Sequence, residues 1–357
     1  MNRWIKTGML VGAILMAAIL VGCKGDEGPA GPAGTATCTE KCHTDDYGVS
    51  DYLLPYKAQY AVSTHATGET FHRMTSPCAG CHTTEGFQTY AATGVAPSST
   101  LPRSSPIGCF GCHAPHSNET FAMRKTGSTP LGSGGTYDKG SSNTCAMCHQ
   151  LRAPSPNFMA PAFAGDSMSS TRFAGHHGPQ SNVLSGQGFW TFGGTLAAGA
   201  THNSALDDGC IDCHMADMPT GGIAGEHSWK MVWDDHGTEV LNSKGCPCHS
   251  STYNTDAKMM TFVDDVKEKF YAALNDTLAP KLVTLKLLKQ NTDGSFSPNN
   301  NRRGTDLKRV IWTADELGAL FNYGALLEDR SGGIHNPVFA RAVYNATLTW
   351  ANSRLGL

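Results

Sequence analysis

Twelve of the thirteen cysteines in this 357-residue chain fall into six close pairs, and a histidine directly follows every pair. The units are Cys38/Cys42/His43, Cys78/Cys81/His82, Cys109/Cys112/His113, Cys145/Cys148/His149, Cys210/Cys213/His214 and Cys246/Cys248/His249. Four of them read C-x-x-C-H, the attachment signature of c-type haem. Two thiols at that spacing add across the two haem vinyl groups, and the histidine ligates the iron from the same turn. Paired cysteines also serve zinc and redox disulfides, but neither use requires a histidine at the next position. Histidine is 15 of 357 residues, so chance does not place it there six times.

Two units depart from the signature. Cys38-Thr39-Glu40-Lys41-Cys42-His43 has one residue more, and Cys246-Pro247-Cys248-His249 has one fewer. The shorter gap strains attachment to both vinyls. It admits one thioether through Cys248 with His249 still ligating, or a disulfide or free thiols with no haem. Six haems are expected, five if that unit binds none. Nine histidines lie outside the units, namely His65, His72, His116, His176, His177, His202, His227, His236 and His335, enough for every iron to take a second imidazole. His116 stands out in Cys109–His116, which reads C-F-G-C-H-A-P-H and carries a free imidazole three residues after the ligand of its own unit. Methionine also ligates haem iron, but Met215 and Met218, just after His214, are read as packing residues.

Composition points to a chain that relies on bound groups for its interior. Charged residues make up 16% and glycines number 40, so much of the chain is expected to be loop. The net charge of −3 argues against a nucleic-acid surface. Arg3 and Lys6 precede an apolar run, Met9 to Val21, too short to span a membrane, which reads as an export signal. It closes on Leu20-Val21-Gly22-Cys23, the form of a bacterial lipobox, and lipid on Cys23 would anchor the chain without spanning. An ordinary cleaved signal with an incidental cysteine is the alternative. Gly25 to Gly34 has glycine at every third position, too short for a triple helix and suited to a tether.

The domains expected are therefore a lipoprotein signal peptide over 1–22, a lipidated cysteine and tether over 23–37, a multihaem domain over 38–250, and a C-terminal helical segment over 251–357. Within the last, Met259, Phe262, Val263, Val266, Phe270 and Leu274 recur at helical spacing, with Pro280 as a stop. Gln290 to Gly304 reads as a polar loop. Thr313-Ala314-Asp315-Glu316 fits a capping box opening a second helix, and Pro337 in the first turn opens a third. The fold class expected is mostly coil with short α-helices wrapped around a stack of c-type haems, plus the C-terminal helices, with few or no strands.

On these motifs the chain resembles the multihaem c-type cytochromes of metal-reducing bacteria, with a C-terminal part like that of pentahaem nitrite reductases. The resemblance is carried by Ser63-Thr64-His65-Ala66, His116, the run His176-His177-Gly178-Pro179-Gln180, His202 ahead of Cys210, and Glu226-His227-Ser228-Trp229. Its most specific stretch is Asp329-Arg330-Ser331-Gly332-Gly333-Ile334-His335-Asn336-Pro337. It implies a distal ligand set of His65, His116, His177, His202, His227 and His335, in which His176 could replace His177. His72 and His236 have no matching context. Which distal histidine serves which haem is not legible.

Two functions follow as expectations. Six-coordinate haems pass electrons and bind no substrate, so the first is an electron-transfer protein rather than an enzyme. It would be exported and outer-membrane anchored through lipid alone, delivering electrons to an extracellular acceptor, to partner cytochromes or to copies of itself in a filament. The second is a reductase of nitrite, hydroxylamine or a sulfur oxyanion, which needs one open iron and acid–base groups beside it. The C-x-x-C-K haem of the nitrite reductases is absent from this chain, and the irregular His249 unit is where an open iron would be sought.

Overall fold

Capped amphipathic stretches build the C-terminal part. Thr313 accepts from the Glu316 N–H at 3.2 Å while the Glu316 carboxylate accepts from the Thr313 N–H at 2.9 Å, and the helix Ala314–Glu328 follows. Asn336 caps Pro337–Leu355, its side chain accepting from Phe339 N–H at 3.1 Å. The computed structural model describes residues 53–115, 121–151, 167–168, 178–199, 201–299, 310–311 and 313–357. The signal, lipobox and tether, and the residues Cys23, Cys38, Cys42, His43, His116, His176 and His177, lie outside the described residues. The chain divides into two units, Met1–Lys57 and Ala58–Leu357, and the boundary read at 250/251 falls inside the second.

Pro280 does not stop the first C-terminal helix. Asp256–Ala272 passes through a π turn, Ala273–Leu278, into Ala279–Thr284 with Pro280 in its first turn. A π turn carries an extra residue and re-aims the carbonyls that a proline ring would otherwise strike. The stretch read as a loop from Gln290 holds part of a hairpin, Leu288–Gln290 against Phe296–Pro298, turning at Gly294 with φ +84°.

Among the described residues between the cysteine units, coil and short helical turns prevail, but regular pieces also stand where coil was expected, two of them well defined. Thr83 accepts from Gly86 N–H at 3.0 Å and opens Thr84–Thr93, which ends on Gly94 at φ +72°. Val232–Asp235 pairs antiparallel with Thr238–Leu241 around His236 and Gly237, both at positive φ. The strands, two to four residues long, form isolated two-stranded ribbons. Among the described residues no helix is long and apolar enough to cross a membrane.

The apolar core belongs to the C-terminal helices. Leu274, Leu278, Leu282, Leu320, Phe321 and Phe339 are buried together with Val183 and Phe189 from the preceding part. Asn322 ties the two: its side chain accepts from Trp190 N–H at 2.9 Å and donates to Trp190 O at 3.0 Å. Asn336 does the same further along, donating to Leu184 O at 3.1 Å and Ala198 O at 2.8 Å. The helices are thereby fixed against the segment that leads into the cysteine units.

Candidate metal centres

Each described unit is a single tight turn that brings its first cysteine and its histidine to one end. The His113 N–H donates to Cys109 O at 2.9 Å, His149 to Cys145 O at 2.9 Å, and His82 to Cys78 O at 3.2 Å. These are α-type bonds across four residues. In the irregular unit the His249 N–H donates to Cys246 O at 3.0 Å across three residues, in the 3₁₀ turn Pro247–His249. A tighter helix needs one residue less per closure. The missing residue is thus absorbed by the backbone, and the same cysteine-to-histidine bond closes. No disulfide joins any two of the ten described cysteines.

Every one of four unit histidines faces a histidine from elsewhere in the chain. His149 faces His65 with ring centres 6.1 Å apart, His113 faces His227 at 6.2 Å, His249 faces His202 at 6.2 Å, and His214 faces His335 at 6.3 Å. A metal–nitrogen bond of about 2 Å on each side, plus roughly 1 Å from each nitrogen to its ring centre, spans roughly 6 Å. The four separations therefore match one metal ion between two imidazoles.

The ring nitrogens are oriented for that role. His113 donates from Nδ1 to Phe121 O at 2.5 Å, His202 to Ile334 O at 2.7 Å, and His214 to Trp229 O at 3.0 Å. His149 Nδ1 lies 3.3 Å from Gln180 Oε1, and His335 Nδ1 lies 2.7 Å from Asp329 Oδ1. Occupying Nδ1 leaves Nε2 with its lone pair, and a metal-ligating histidine is fixed in this way by its outer partner. Burial, then the facing His149, pulls His65 down to about 4. Burial, then His335, lowers His214, and burial, then His113, lowers His227. A lowered value keeps the imidazole neutral, the form that binds metal.

The sulfurs run together as well. Cys81 Sγ lies 3.9 Å from Met147 O, beside the fourth unit. Cys145 and Cys210 hydrogen-bond through their side chains, with Tyr137 Oη 3.4 Å from Cys210 Sγ, and Cys210 is pushed down to about 6, chiefly by the Cys145 bond. Cys213 Sγ donates to Gly245 O at 3.3 Å, and burial, then Cys246, pushes Cys213 up to about 12. The fourth, fifth and sixth units are therefore neighbours in chain order.

One turn serves three pairs. Gly225, Glu226 and Trp229 take positive φ, and the turn is held by Glu226 N–H to Ala216 O at 3.1 Å and Ser228 Oγ to Gly225 O at 2.7 Å. Left-handed backbone at two non-glycine residues costs energy that neighbouring contacts must offset, a pattern typical of functional sites. The turn presents His227 to His113 and the Trp229 carbonyl to His214. The Trp229 indole lies 4.7 Å from His65 and 5.7 Å from His227.

Of the distal histidines expected from the resemblance, the structure sets His65, His202, His227 and His335 against unit histidines. His72 is exposed, and so is His236, on its hairpin turn. Met215 and Met218 are half-buried, and the ring facing His214 is His335. Sequence reasoning missed the outer partners Gln180, Trp229 and Asp329, although all three lie inside the stretches that carried the resemblance. Their polar atoms at fixed offsets from a histidine were the available signal.

No protein-family model matches the chain, and no curated protein does. Among solved structures the fold is similar to that of the outer cell wall cytochrome OcwA, at 16% identity and a TM-score of 0.50. The match covers 87% of this chain and 53% of the other, so the chain spans about half the length of that protein. The chain shares a cytochrome's fold. The likeness to pentahaem nitrite reductases gains no support from these comparisons.

Proposed function

We propose that the chain is a multihaem c-type cytochrome, with six haems expected and no open iron, which carries electrons along a row of bis-histidine haems. The observation that carries this reading is the set of four histidine pairs at 6.1–6.3 Å, each containing the histidine of a Cys/Cys/His unit. The pairs fit the group: each joins a unit whose thiols can form thioethers to a second imidazole at the span of one iron. Haem c bound there supplies a one-electron iron couple without taking up substrate.

The chain's own residues do the rest. The unit cysteines Cys78, Cys81, Cys109, Cys112, Cys145, Cys148, Cys210, Cys213, Cys246 and Cys248 hold the group, as Cys38 and Cys42 would in the first unit. Outer partners on Nδ1 hold the imidazoles in one tautomer. The contiguous cysteines of the fourth to sixth units keep successive sites adjacent. His202 facing His249 favours the conduit over the reductase, because the irregular unit was the place to expect an open iron.

Delivery is to an extracellular acceptor or a partner cytochrome, with the lipid on Cys23 and the tether holding the protein at the cell surface. The cell-wall cytochrome fold supports an exported setting. The test is the visible spectrum of the dithionite-reduced protein with and without carbon monoxide. Bands that do not move are expected. A shift in a fraction near one haem of the six would mean an open iron and would move the reading to a reductase.

A further inference from the structure

Outer partners differ among the paired histidines in one respect that chemistry amplifies. His113, His202 and His214 give their Nδ1 protons to backbone carbonyls, and His149 faces the neutral amide oxygen of Gln180. His335 alone among these five gives its proton to a carboxylate, Asp329 Oδ1, at 2.7 Å. The Asp329 side chain is 1% exposed, so little water screens it. Ser331 Oγ donates to Asp329 Oδ2 and accepts from His335 N–H at 3.2 Å, which fixes the carboxylate against the ring. Arg330, the nearest cation in sequence, is largely exposed and lies 3.8 Å from Glu328.

From this arrangement we propose that Asp329 makes the His214–His335 site the lowest in reduction potential of the four paired sites, a deepening that rests on the haem reading above. A carboxylate that accepts the Nδ1 proton moves the imidazole towards imidazolate and makes Nε2 a stronger donor. A stronger donor, with a buried negative charge beside it, stabilises ferric over ferrous iron. The step involved is a single electron entering or leaving iron, with the proton staying on Nδ1. This site also adjoins the His202–His249 site through the Ile334 carbonyl and the His65 and His227 sites through Trp229. Electrons that reach it would pass on downhill in either direction, so it acts as a divide in the row.

The test uses the full-length holoprotein and its Asp329→Asn variant, titrated spectroelectrochemically with dithionite as reductant. Asparagine keeps an acceptor for Nδ1 and removes the charge. One component of the titration should move to higher potential while the others stay. In the oxidised variant, one low-spin ferric paramagnetic resonance signal should change. Titrations that superimpose, components that all move together, or loss of one haem would overturn the assignment. A second variant, Gln180→Glu, places a carboxylate at His149, and it should lower one different component; if it moves none, the assignment also fails. Haem content from the pyridine haemochrome spectrum of the wild type separates two failures. A wild type without haem removes the haem reading and this proposal with it, whereas a fully loaded wild type with an unmoved variant removes this proposal alone.

Discussion

Imidazole orientation is set one residue at a time, and two consequences are measurable. His202→Ala removes the ring facing His249 while leaving the cysteines of that unit in place. One iron should become five-coordinate, and a fraction near one in six of the reduced Soret absorption should shift with carbon monoxide. The ring planes also differ: 81° and 90° in the His65–His149 and His202–His249 pairs, against 36° and 45° in the other two. Crossed imidazole planes leave two iron d orbitals nearly degenerate, which raises the largest g value. The oxidised holoprotein should therefore show at least two highly anisotropic low-spin signals alongside ordinary rhombic ones. The unit histidines were legible because the cysteines beside them mark the role. His65 and His335 were legible only through resemblance, and their partners not at all, since a pair joins residues that the chain brings together late. Asp329 and Gln180 were hidden for the same reason: nothing local tells which carboxylate or amide will meet a ring.

At the scale of elements, caps carried most of the legible information. Thr313 and Glu316 announce a helix because their side chains satisfy the first free N–H groups, and the structure uses both. Thr313→Ala should cost about 1 kcal/mol of stability, seen as a lower denaturation midpoint, with haem content unchanged. Pro280 misled because a proline marks a stop only when the turn before it is regular, and here that turn is π. The Thr84–Thr93 helix and the Val232–Leu241 hairpin were missed although Thr83, Gly94 and the His236-Gly237 turn were visible, because glycine is so frequent here that single ones carry little signal. The irregular unit gives a sharper expectation. Its 3₁₀ turn restores the cysteine-to-histidine bond, so the tryptic peptide containing Cys246–His249 should carry one haem by mass spectrometry. A peptide at its unmodified mass would return the count to five.

Across the whole molecule the protein core and the paired sites are different in kind. Residues of the three C-terminal helical segments bury one another, while among the cysteine units sulfurs and imidazoles meet one another beside a smaller apolar cluster of Leu131, Tyr137, Ala146 and Leu184 that packs on Cys210. Composition pointed to part of this, since a loop-rich chain leaves stretches with little apolar interior of their own. The order of the sites could not be foreseen, because it depends on which distant segments cross. That crossing has a topological meaning. His113 and His227 bracket His149 and His202, whose own partners, His65 and His249, lie outside the bracket; His214 likewise lies between His202 and His249, while its partner His335 lies beyond them. With iron in each pair, the loops overlap along the chain rather than nest like brackets. Each closed loop then shares chain with the next, so iron fastens the chain as a disulfide framework would, by denying the unfolded chain its freedom.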